Sequence, residues 1–109
     1  MLMLTKEIQK RLPKIGATDG KPAAERQVIV KFFSIASQHR WYILEGRKTD
    51  TGDWELFGYS TGGDEEEFGY VMLSELMSAR WKGIPAVERD MHYGGHTLQE
   101  VLDRLPAAT

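Results

Sequence analysis

"VIVKFFSI", residues 28–35, decides how this 109-residue chain is read. β-Branched and aromatic residues fill it, and such residues suit a pleated, half-buried surface. Alternation puts Val28, Val30 and Phe32 on one face and Ile29, Phe33 and Ile35 on the other. Both faces are largely apolar, which predicts a central strand. Three more strands follow: "RWYILEGR" (40–47), "WELFGYS" (54–60) and "EFGYVML" (67–73). In the first of these, Trp41 and Ile43 oppose Tyr42 and Leu44. The links "ASQH", "KTDTGD" and "TGGDEE" are short and polar, and the last contains the φ-permissive pair Gly62-Gly63. Links this short suit antiparallel neighbours, because parallel crossovers need longer connections.

Helices are expected on either side of this meander. "TKEIQKRLPK" starts with Thr5 as N-cap, carries Ile8 and Leu12 on one face, and stops near Pro13. "IGATDGKPAAERQ" has no apolar period and reads as a loop. "SELMSARW" predicts a two-turn helix capped by Ser74. "KGIPAVERDMHYGG" is mostly extended, broken by Pro85 and Gly94-Gly95. In "TLQEVLDRLP", Thr97 and Glu100 make a capping box, while Leu98, Val101, Leu102 and Leu105 form a stripe ended by Pro106. The expectation is a single α+β domain over residues 1–109. A four-stranded, mainly antiparallel meander is packed by the C-terminal helix, with a short middle helix and a short N-terminal helix at an edge.

Composition narrows the function classes. The chain lacks cysteine, which excludes disulfides, cysteine nucleophiles and thiolate zinc sites. No apolar run approaches the roughly 20 residues of a membrane helix. "MLMLTKEIQKRL" has its charges after the apolar residues, unlike a signal peptide, so no membrane role and a cytoplasmic location are expected. Net charge is -2, but residues 1–40 hold eight Lys/Arg against three Asp/Glu, and the rest hold six against thirteen. Either the fold has a basic and an acidic face, or it interleaves the two halves.

Taken in order, "LTKEIQKRLP", "VIVKFFSI", "WYILEG", "LFGY", "EFGYVMLSEL", "VERDMHY" and "TLQEVL" resemble the bacterial family known as domain of unknown function 2958. The resemblance covers almost the whole chain. It implies a small stand-alone protein of plasmids, phages and other mobile elements, and an accessory role such as anti-restriction or anti-CRISPR inhibition. It implies no assigned activity and no catalytic residue.

Several groups of residues carry possible chemistry. In "VERDMHYGGH" an extended backbone puts Glu88, Asp90 and His92 on one side, with Arg89 on the other. Two carboxylates and an imidazole can hold a divalent metal or act as an acid–base pair. The plainer reading is a polar strand face with its charges paired. Asp64, Glu65, Glu66 and Glu67 form an acidic turn that lacks the ligand pattern of a calcium loop. With Asp50, Asp53 and Glu55 it can offer an acidic patch to a basic protein. Lys6, Lys10 and Lys14 recur every fourth residue and can touch phosphate, though an isoelectric point near 5.9 is low for a nucleic-acid domain. Trp41 and Trp54 fall in strands and read as core. Trp81 follows a helix and is the better interface residue. Neither a phosphate-binding glycine loop nor a G-x-S-x-G elbow occurs.

The leading expectation is a non-catalytic accessory protein with a protein partner and no cofactor. The competitors are a small metal-dependent enzyme or ligand binder built on Glu88, Asp90 and His92, and a nucleic-acid binder using the basic N-terminal half.

Overall fold

The structure, a computed structural model, describes residues 3–104. Leu105 and Pro106, expected to close the last helix, lie outside the described residues. Helix α1 (Lys6–Arg11) starts where the Thr5 hydroxyl accepts the Ile8 amide at 3.1 Å, and its C-cap Leu12 is extended ahead of Pro13. A loop with one 3-10 turn (Ala23–Glu25) leads to β1 (Val30–Ser34), β2 (Arg40–Lys48), β3 (Trp54–Thr61) and β4 (Glu67–Met72). These four strands form the expected antiparallel meander, with Phe32 opposite Trp41, Tyr42 opposite Tyr59, and Phe57 opposite Tyr70.

The chain continues through α2 (Leu73–Ser78) and a two-stranded hairpin, β5 (Arg80–Trp81) with β6 (Ile84–Pro85). It then returns as β7 (Val87–Arg89), antiparallel to β1, and the last described element is α3 (Leu98–Arg104). The sheet therefore has a fifth strand, in the order β4-β3-β2-β1-β7. Only three residues of β7 pair, and they pair with a strand more than fifty residues earlier, so no local pattern marks them as part of the meander.

Two apolar layers sandwich the sheet. On one face Val30, Phe32, Ile43 and Leu56 pack with Ile8 of α1 and Leu76 of α2. On the other, Val28 and Leu44 pack with Leu98 and Val101 of α3. The expected stripe on α3 is thus the one that meets the sheet. Three expectations need correcting. α1 lies over the face opposite α3, not at an edge, because Ile8 and Leu12 join the Trp41 and Ile43 core. Val28 parts from Val30 and Phe32, because regular pairing starts at Val30. The preceding residues are tied to α3 instead, with the Val28 amide donating to the His96 carbonyl and the Leu98 amide to that of Arg26. Lastly, α2 starts at Leu73. Ser74 does not cap it but donates its amide and hydroxyl to the Asp53 carboxylate in the β2–β3 turn.

The register of β2 against β3 shifts between Ile43 and Glu45, which leaves Leu44 as an extra residue. This bulge turns Glu45 to the α3 face, where it sits opposite Phe57.

Candidate functional site

β4 is an edge strand, and its first four residues are exposed. On the α3 face, Phe68 is 45% and Tyr70 62% exposed. The register sets Phe68 beside Tyr59 and Tyr70 beside Phe57, so four rings form one cluster with centroids 4.9 to 6.1 Å apart. Among the described residues α3 (Leu98–Arg104) packs beside these rings, and Phe57 and Tyr59 are partly buried against its cluster while Phe68 and Tyr70 are exposed. The buried residues of α3, Leu98 and Val101, seat on Val28 and Leu44 of the inner part of the sheet.

Arg26 flanks the cluster, with its guanidinium 5.7 Å from the Phe57 ring centre and 5.8 Å from that of Phe68. Glu45 fixes it there. The Glu45 carboxylate, in a residue only 2% exposed, accepts the Gly16 amide at 2.7 Å, the Thr18 amide at 2.8 Å and the Thr18 hydroxyl, and lies 3.5 Å from Arg26. Burial pushes its pKa up, but the Thr18 and Gly16 hydrogen bonds and the Arg26 charge outweigh that and hold it below the usual carboxylate value. With the Gly46 amide donating to Pro13, this network pins the 13–18 loop onto β2. The group is an anchor: each carboxylate oxygen is already engaged.

The opposite face of the same edge carries a groove of about 140 Å³. Gly58 and Gly69 are cross-strand partners there, and His39 stacks on Trp41 at 3.9 Å beside them. Ile43 and Val71 complete an apolar lining, with Glu67 at the rim. An adjoining cavity of about 360 Å³ is lined by His39, Gly63, Asp64, Glu65 and Glu67. Burial first, and then the neighbouring Arg40, hold His39 below the usual imidazole value. Gly58 must be glycine, since a Cβ would overlap the Tyr42 carbonyl oxygen. Gly69 is under no such constraint, with nothing within 4 Å of where its Cβ would sit.

A family model described as a protein of unknown function, DUF2958, matches residues 3–104. The chain belongs to that family. No curated protein and no solved structure matches it.

In this DUF2958 protein the "VERDMHYGGH" stretch does not gather into a ligand set. β7 ends at Arg89, so the alternation that would align Glu88, Asp90 and His92 stops midway. Glu88 lines a cavity with Met77 and Arg80, while Arg89 and Asp90 line another against α1. Asp90 lies 3.7 Å from the Lys31 ammonium and accepts the His92 amide at 3.0 Å, leaving the His92 ring exposed. Among the described residues no three Asp, Glu or His side chains are placed to hold a metal ion. Lys6, Lys10 and Lys14 are exposed, the first two on α1 and the third beyond its end. Among the described residues no helix is long and apolar enough to cross a membrane.

Trp81, singled out in the sequence, is 41% exposed on the β5–β6 hairpin, with Ile84 opposite it at 49%. The Lys82-Gly83 turn has positive φ at both residues (51° and 82°), and the Lys82 ammonium lies 4.6 Å over the Trp81 ring. Sequence reasoning missed a polar cluster at the start of α3. Lys31 lies 5.3 Å and 5.2 Å from the ring centres of Tyr42 and Tyr93, and His96 Nδ1 is 3.0 Å from Glu100. The i, i+4 spacing of His96 and Glu100 was the available signal. Burial, reinforced by Tyr42, pushes the Tyr93 phenol up to about 12. Lys31 and His96 each face a carboxylate, which is the pattern of a structural network.

Proposed function

We propose that this protein is a non-catalytic binding module that engages a protein partner along the β4 edge. The observation that carries this reading is the exposure of Phe68 and Tyr70 on the outer side of a four-ring cluster. Exposed aromatic groups of this kind mark interaction sites, and Tyr and Phe are enriched in interface cores. The acidic turn Asp64–Glu67 at the end of the edge favours a partner with a basic surface. An accessory protein of a mobile element that inhibits a DNA-handling enzyme would meet such a surface, since enzymes of that kind present basic clefts.

Open rings on a sheet, flanked by Arg26, also stack bases, which makes single-stranded nucleic acid the second reading. The acidic turn opposes phosphate and ranks it second. The test is affinity capture from host lysate with tagged protein, comparing wild type with Phe68→Ser/Tyr70→Ser and with Lys6→Gln/Lys10→Gln/Lys14→Gln. The expected result is one stoichiometric protein that survives a high-salt wash and is lost only from the aromatic variant. Nucleic acid as the captured species, lost from the aromatic variant by base stacking or from the lysine variant by salt-labile phosphate contact, would overturn the reading.

A further inference from the structure

We infer that the groove between Gly58 and Gly69 receives a basic side chain, arginine or lysine, from an extended segment of the protein partner; this rests on the binding role proposed above and names the chemistry recognised. The groove has an apolar floor and an acidic mouth. Trp41, with His39 stacked on it, and Ile43 and Val71 provide the floor. Glu67 stands at the rim, and Asp64 and Glu65 line the adjoining cavity. This matches a long basic side chain, whose aliphatic stem packs on apolar surface while its cation stays near carboxylates. Arg40, the nearest cation along the chain, turns to the other face, with its guanidinium 5.6 Å from the Phe33 ring centre. Gly69 keeps the trough open although nothing in the fold demands glycine there. A segment laid along β4 would place alternate side chains on the two faces of the edge, one set against Phe68 and Tyr70 and the other in the groove.

The experiment titrates ¹⁵N-labelled full-length protein with acetyl-Gly-Arg-Gly-amide, using acetyl-Gly-Glu-Gly-amide as the control. The arginine peptide is expected to shift the Trp41 indole resonance and the Glu67 and Gly69 amides, and the acidic peptide is not. The shifts should fade at about 1 M salt, where the Debye length is ~3 Å. Gly69→Val fills an open space with a good strand former, so it should fold normally and abolish the shifts. Glu67→Lys should weaken binding about tenfold through like-charge contact. Equal shifts from both peptides, or shifts that persist in folded Gly69→Val, would overturn the inference. Capture of the same partner by Gly69→Val but not by Phe68→Ser/Tyr70→Ser would discard the groove and leave the binding role intact.

Discussion

At the scale of single residues, Glu45 decides how the site is held. It is a buried carboxylate whose donors come from a loop nearly thirty residues away, and Arg26 leans on it before reaching the Phe57 and Phe68 rings. Removing one member of a buried pair strands the other in an apolar setting. Glu45→Gln should therefore destabilise the protein by about 3 kcal/mol, measured by urea unfolding at neutral pH. The pH dependence has a definite sign. A carboxylate whose folded pKa is lowered contributes fully above its unfolded value, and that contribution is lost as pH falls through the lower folded value. The gap between wild type and Glu45→Gln should narrow as the solution is acidified; a gap that stays constant into acid would refute this. The two glycines of the groove make a second contrast. Gly58→Ala should destabilise strongly, because its Cβ would strike the Tyr42 backbone, while Gly69→Ala should stay within about 0.5 kcal/mol of wild type. Glu45 was not legible in the sequence. Alternation from Trp41 and Ile43 assigns it to their face, and only the extra residue at Leu44 turns it over.

At the scale of elements, local signals reported local structure well. Thr5 and Pro13 bound α1, and Thr97 and Glu100 exchange the two hydrogen bonds of the capping box, at 3.3 and 3.4 Å. Thr97→Ala should cost about 1 kcal/mol, seen as a lower urea midpoint. Elements set by partners distant in sequence were not legible. The pairing of β7 with β1 and the start of α2, fixed by Asp53, both depend on contacts that no window of sequence contains. The hairpin tip carries a conformational cost, because Lys82 adopts φ 51°, a region that side chains other than Asn, Asp and Gly disfavour. Lys82→Asn should raise stability by about 0.5 kcal/mol in thermal or urea unfolding. A decrease would indicate that the Lys82–Trp81 ring contact outweighs the backbone cost.

At the scale of the whole molecule, the sheet is covered unevenly. α1 and α2 share one face; on the other the α3 cluster takes in Phe57 and Tyr59, and Phe68 and Tyr70 of β4 stay in view. The α+β class and the meander were legible because they follow from strand patterning and short turns. The exposed aromatic edge was not, since the seat of α3 on Val28 and Leu44 is a property of the packed molecule. The split of charge along the chain is partly resolved by interleaving, as the Arg26–Glu45 and Lys31–Asp90 pairs join the two halves. The exposed charges include an acidic turn beside the rings and Lys6 and Lys10 on α1. The measurement that tests the central claim most directly is in-cell photo-crosslinking, with a photoreactive phenylalanine analogue at position 70 and, separately, at position 10. The account predicts a discrete protein adduct from position 70 and none from position 10. An adduct confined to position 10, or nucleic acid as the species captured at position 70, would contradict it.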